Sequence, residues 1–306
     1  MKRTLILTLA AGALIAGTLA QARPGDRLRE RLGGGQGRAQ VAPAPGKQTL
    51  TYGSDALQQL DYYPAQSGNK RAPLVLFVHG GGWKRGSKDN ASGPWKAPHY
   101  TQAGYAYASI NYRLVPAATV EQQAADLAAS IRYLIDNAAR LGFDPGRIVI
   151  MGHSAGAHLV ALVGTDERYL KGAGLSFASI DGVLPIDGAA YDVPRQMAEG
   201  GKFMSDTYVQ AFGTDPARQR ALSPTHHAAA PNAPAFLIIH VQRKDGVAQS
   251  KELEAVLRKG GWTAVERREF PGRGLTGHAE IKRSLGDPAY AATPVVDAWL
   301  KKVFGA

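Results

Sequence analysis

Ser154 lies at the centre of Gly152-His153-Ser154-Ala155-Gly156, and its setting is that of a nucleophile. A serine hydroxyl attacks a carbonyl only if it is exposed, has a base to take its proton, and faces groups that stabilise the charge that develops. The apolar run Arg147–Met151 before it reads as a buried strand, and His158–Val163 after it as the first turns of a buried helix. A G-x-S-x-G turn between strand and helix is the pattern of a nucleophile elbow. The two glycines remove side chains where the turn is tightest. The competing reading, in a chain with 36 glycines, is a turn whose small residues serve only packing.

A base must then be found among eight histidines. His153 and His158 belong to the elbow and read as packing or orienting residues. His226 and His227 follow Ser223-Pro224 in a polar loop, His240 ends an apolar strand, and His99 has no supporting context. His278 follows a last strand and the run Pro271-Gly272-Arg273-Gly274-Leu275-Thr276-Gly277, which reads as a loop able to carry an imidazole over a sheet edge. It also satisfies the chain order serine, acid, histidine. The acid should then come from a strand end between the two. Asp245, five residues beyond His240, is the expected acid, with Asp187 and Asp192 as competitors. Beside Arg243 and Lys244, Asp245 can equally be read as a solvated turn aspartate.

Charge on a transition-state oxygen needs donors placed in advance. His79-Gly80-Gly81-Gly82-Trp83 directly follows the apolar run Pro73–Val78, so Gly81 and Gly82, with Ala155, are the expected backbone donors. A glycine run can also cradle phosphate, but no G-K-[S/T] follows this one.

The elements that must position these groups are legible as apolar runs. Thr49–Pro64 reads as a strand pair around Gly53-Ser54-Asp55. Pro73–Val78 reads as a strand covered on both faces, Tyr105–Ile110, Ile148–Met151, the shorter Gly182–Ile186 and Ala235–His240 as further strands, and Thr263–Phe270 as an edge strand. Val120–Ala139, Ser250–Lys259 and Pro294–Phe304 carry helical periodicity. Strands alternating with helices predict an α/β fold with a mostly parallel central sheet flanked by helices. Ala190–Pro234 breaks the alternation and is expected to form a small cap or lid.

Lys2 and Arg3, the apolar stretch Leu5–Ala20 and Ala20-Gln21-Ala22 predict a secretory leader over residues 1–22. Residues 23–47, basic and rich in Gly and Pro, read as a disordered linker, and residues 48–306 as the folded domain. Periplasmic or secreted localisation follows, with no stable membrane span once the leader is removed. Zero cysteines exclude disulfides, thiol nucleophiles and thiolate metal sites. More than half of the net charge of +11 sits before residue 48, leaving five net charges on the domain. That basic tail has no aromatic residue for base stacking, so no nucleic-acid partner is expected.

These motifs together resemble the α/β-hydrolase superfamily, in the branch of hormone-sensitive-lipase-like carboxylesterases, feruloyl and acetylxylan esterases and kynurenine-formamidase-like hydrolases. The resemblance runs from about Tyr52 to the C-terminus. It includes Tyr52-Gly53-Ser54, Leu60-Asp61-Tyr62-Tyr63-Pro64, the His79–Trp83 run, Asn111-Tyr112-Arg113-Leu114, Gly152–Leu159, Ser223-Pro224, Gln249-Ser250 and Gly277-His278. It implies an α/β-hydrolase fold, Ser154 as nucleophile, His278 as base, and Gly81, Gly82 and Ala155 as the oxyanion hole. The substrate implied is a small carboxylic ester, with neither metal nor cofactor. One departure stands out. Relatives place an aspartate three or four residues after the strand-ending histidine, where this chain has Arg243 and Lys244, and the role passes to Asp245 by a local shift. Two other readings go with the same motifs: a hydrolase of activated formamides, and an inactive hydrolase fold used as a binding module. Export and the third glycine, Gly82, favour the ester.

Overall fold

The computed structural model describes residues 41–89, 93–261 and 263–305. The leader expected over 1–22 and most of the linker at 23–47 lie outside the described residues. Eight strands form one sheet: β1 (Gln48–Thr51), β2 (Gln59–Tyr63), β3 (Ala72–Val78), β4 (Ala106–Ile110), β5 (Phe143–His153), β6 (Gly182–Ile186), β7 (Ala235–Gln242) and β8 (Ala264–Arg273). Their spatial order is β1-β2-β4-β3-β5-β6-β7-β8. The β1–β2 and β2–β4 pairs are antiparallel, and every pair from β4 through β8 is parallel.

The principal helices are α1 (Lys96–Gln102), α2 (Val120–Asp136), α3 (Ala155–Thr165), α4 (Val193–Glu199), α5 (Lys202–Phe212), α6 (Lys244–Gly260), α7 (Gly274–Ser284) and α8 (Ala292–Phe304). They cover both faces of the sheet, which is why its central strands lack polar alternation. All seven residues of β3 are buried. Leu74, Leu76 and Val78 pack into one core with α2 and α3, while Val75 and Phe77 pack into the other with α8. Thr119 starts α2 with a capping box to Gln122, satisfying donors that the first turn leaves open. Among the described residues no helix is long and apolar enough to cross a membrane.

One expectation changes. β8 runs to Arg273 and α7 begins at Gly274, so His278 stands one turn into a helix rather than in a glycine-rich loop. Gly272 and Gly277 serve close packing: a Cβ on Gly277 would come within 2.6 Å of the Gly272 backbone. The segment between β6 and β7 holds α4, α5 and two shorter helices, at Pro216–Ala221 and Pro224–His227.

Candidate active site

The elbow forms where β5 ends and α3 begins. Ser154 has φ 58° and ψ −118°, a strained backbone for a residue with a Cβ. A Cβ on Gly152 would approach the Gly156 carbonyl oxygen to 2.2 Å, and one on Gly156 would approach the Val78 oxygen to 2.2 Å. Glycine at both positions is therefore demanded by contact. The Ser154 N–H donates to the Ile186 carbonyl at 3.1 Å, tying the elbow to the end of β6. That bond occupies the Ser154 N–H. The Ala155 N–H, first in α3, belongs to the set of donors that a helix leaves unpaired at its N-terminus.

The residue after Ile186 is Asp187, at φ 45°. Its N–H donates to the Ile239 carbonyl at 2.7 Å, and its Oδ1 accepts from the Val241 N–H at 3.2 Å, so the end of β7 holds it in place. Its Oδ2 lies 2.6 Å from Nδ1 of His278. A carboxylate acceptor fixes the proton on Nδ1 and leaves Nε2 of the neutral ring able to take one. Asp187 is fully buried, and burial alone would raise its pKa. The His278 hydrogen bond and the Arg243 charge outweigh that and hold it below the ordinary carboxylate range.

His278 is brought to the elbow by His153. The two rings lie 4.4 Å apart, and Nε2–H of His153 donates to the His278 carbonyl at 2.9 Å. Burial, and then the neighbouring His278, keep the His153 pKa well below the usual range, so the neutral ring of this elbow residue holds His278 against it.

The structure does not bring Asp245 to His278. Asp245 stands in the first turn of α6, where its Oδ2 accepts from Arg243 Nη1 at 2.6 Å and from Gln196 Nε2 at 3.3 Å. The chain enters α6 directly at Lys244 and keeps no loop after β7 that could swing an aspartate towards the imidazole. The carboxylate on His278 is that of Asp187, one of the two competitors. The other, Asp192, caps α4 by accepting from the Arg195 N–H at 2.9 Å.

The glycine run follows β3. Gly81 and Gly82 have φ 130° and 61°, in the range that favours glycine. A Cβ on the preceding Gly80 would lie 2.8 Å from the Ser154 Cβ, which puts this run against the elbow. The run is braced from behind. Tyr112 donates its hydroxyl to the His79 carbonyl at 2.9 Å, and its ring stacks on the His79 imidazole at 4.3 Å. Trp83 Nε1–H donates to His158 Nδ1 at 3.3 Å, and His158 Nε2–H to the Leu222 carbonyl at 2.8 Å. Burial pushes the pKa of both His79 and His158 down to about 4, so each is a neutral hydrogen-bonding part of the frame. On the open side, α5 closes over the run. A Cβ on Gly82 would meet Thr207 at 2.9 Å, and the Trp83 ring packs on Phe212 at 4.7 Å.

His240 is structural, as its place at the end of an apolar strand suggests. Its Nδ1 lies 3.1 Å from the Val241 carbonyl and its Nε2 2.8 Å from Arg267. Among the described residues no group of three or more histidines and carboxylates is arranged to hold a metal ion.

The family model BD-FAE matches residues 60–257, which span β2 through most of α6 and include the glycine run, the elbow and Asp187. The chain belongs to the BD-FAE family. Members of this family are α/β-hydrolases of the esterase kind. Similar curated proteins include Esterase LipC of Mycobacterium tuberculosis, 30% identical over 74% of this chain and 59% of that protein. Esterase LipQ of the same organism is 29% identical over 68% of this chain and 51% of its own length. The isoprenylcysteine alpha-carbonyl methylesterase ICME of Arabidopsis thaliana is 32% identical over 43% of this chain and 31% of that protein. The BD-FAE chain thus spans between about a third and three-fifths of these relatives. Among solved structures, Esterase B of Lactobacillus rhamnosis superposes with a TM-score of 0.69 at 23% identity, covering 92% of this chain and 90% of that one. A truncated carbohydrate esterase from gut microbiota does so with a TM-score of 0.72 at 23% identity, covering 88% and 99%. At that identity the likeness establishes the fold.

Proposed function

We propose that the protein is a carboxylic-ester hydrolase that works through an acyl-enzyme intermediate. The observation that carries this reading is the 2.6 Å His278–Asp187 pair set beside the strained elbow of Ser154. Ser154 Oγ attacks the ester carbonyl while His278 Nε2 takes its proton. Asp187 holds the ring in the Nδ1–H tautomer and stabilises the imidazolium. The N–H groups of Ala155, Gly81 and Gly82 face the developing oxyanion. His278 then gives its proton to the leaving alcohol. Water, activated by the same imidazole, attacks the acyl-enzyme and releases the acid and the free serine.

The esterase names of the relatives support the ester as substrate class. The inactive binding-module reading rests on Arg243 and Lys244 standing where relatives place the acid, and the Asp187 carboxylate 2.6 Å from His278 supports an active site instead. The sequence pattern expected to be a leader over residues 1–22 supports export to the periplasm or medium as the setting of the reaction.

The test is hydrolysis of p-nitrophenyl acetate together with labelling by a fluorophosphonate. The wild-type chain is expected to turn over the ester and take up one probe on Ser154. Ser154→Ala is expected to do neither while keeping its circular dichroism spectrum. Turnover retained by a folded Ser154→Ala protein would overturn the assignment.

A further inference from the structure

Arg243 has a set of partners that no surface arginine needs. Its Nε lies 3.4 Å from Asp187 Oδ2, its Nη2 lies 3.1 Å from the Asp187 carbonyl and 3.2 Å from that of Gly188, and its Nη1 lies 2.6 Å from Asp245 Oδ2. One guanidinium thus binds the carboxylate that holds His278 and the backbone turn that presents it. That turn is the strained one, since Asp187 has positive φ. Five donors in one rigid plane suit this task, and a lysine ammonium does not reproduce them. The side chain is 17% exposed, Asp187 is fully buried, and Asp245 is 29% exposed on the outer side.

We infer that Arg243 is a positioning residue for the Asp187–His278 pair, holding the acid turn in register and setting the charge that His278 works against, with Asp245 as its outer anchor. The inference rests on the reading of His278 as base and Asp187 as its acid.

Two effects of opposite sign follow. The Arg243 cation opposes a second positive charge on His278, whereas the Asp245 anion favours it. The other groups facing the pair are His153 from the elbow, with Lys96 and Lys282 behind it, His240 of β7, and the Tyr191 and Tyr290 hydroxyls, the last three feeling the Asp187 charge. None of them changes in the variants that follow.

The experiment measures kcat and KM for p-nitrophenyl acetate from pH 5 to 9 on the full chain. Arg243→Gln is expected to lower kcat by about 10- to 100-fold with KM within about threefold. Removing the cation favours the imidazolium, so the acid limb of kcat/KM should move to higher pH, by about 0.5 or more. Arg243→Lys should return the limb towards its wild-type position while recovering only part of kcat. Asp245→Asn should move the limb the other way, to lower pH, with kcat within about tenfold of wild type.

A folded Arg243→Gln protein with wild-type kcat and an unmoved limb would overturn the inference. So would a loss of kcat with the limb unmoved in all three variants, which is the signature of a purely structural role. If Arg243→Gln does not fold, the limb in Asp245→Asn decides: a move to lower pH supports the inference and no move overturns it. Asp187→Asn separates this inference from the reading beneath it. Full activity in that variant defeats the triad itself, whereas an inactive Asp187→Asn beside a normal Arg243→Gln defeats only the role of Arg243.

Discussion

The ends of β6 and β7 are neighbours in the sheet, and each carries an aspartate within a few residues, yet only one reaches the imidazole. After β6 the chain makes a single strained turn, and Asp187 is fixed from three sides: by its own N–H on β7, by the Val241 N–H on its carboxylate, and by Arg243. After β7 the chain goes straight into a 17-residue helix, and Asp245 is spent on Arg243 and on Gln196 of α4. The difference shows what makes a carboxylate an acid partner. Proximity in sequence to the expected strand counts for less than a buried turn with backbone donors that hold one oxygen while the other meets Nδ1. Because β6 and β7 pair directly, either end could have served that space, and the loop after each strand decides which one does.

The largest test of this comparison is the pair Asp187→Asn and Asp245→Asn. An asparagine at 187 can present its amide N–H to His278 and favour the wrong tautomer, so kcat should fall by about 10³–10⁴. At 245 the loss should stay within about tenfold. Ester hydrolysis at pH 8 reads both, and a reversal of the two would return the acid to the end of β7. A finer test moves the carboxylate: Asp187→Asn combined with Arg243→Asp. Residue 243 is the N-cap of α6, and an aspartate there is expected to accept the free N–H groups of the first turn. It should therefore restore less than about tenfold of the lost kcat. Recovery near wild type would mean that the β7 end is as competent as the β6 end.

Much of this was legible from residues alone. The apolar run Gly182–Ile186 is β6 residue for residue, and Pro73–Val78 lies wholly within β3, because strands buried on both faces leave no polar interruption to blur their ends. The elbow was legible because its two glycines answer a local steric demand that any chain making this turn must meet. The acid was not, since chain order ranks Asp187 and Asp245 equally and their separation in space depends on how each strand hands over to the next element. The loop reading of Pro271–Gly277 failed for a related reason. Glycines signal flexibility and close contact alike, and only the packing of Gly277 on Gly272 tells the two apart. An orienting role for His153 was legible from its place in the elbow, but its target carbonyl was not, and the Arg243 fork had no sequence signal, because it gathers carbonyls and carboxylates that only the fold brings together.

The smallest expected effect is on stability, and it separates the two strand ends without reference to catalysis. An aspartate in the unfolded chain takes up its proton near pH 3.8, whereas folded Asp187 does so only at lower pH; burial works against this but the His278 bond and Arg243 prevail. Between those two values the unfolded chain binds more protons, so stability rises with pH across that window. The contribution of Asp187 is therefore complete above about pH 5, begins to fall as the pH nears 3.8, and is lost as the pH falls through its folded value. Urea unfolding followed between pH 3 and 5 should show a shallower pH dependence in Asp187→Asn than in the wild-type chain. An unchanged slope would mean that the Asp187 carboxylate is no better held in the fold than in the open chain, and the contrast between the two strand ends would then rest on geometry without an energetic counterpart.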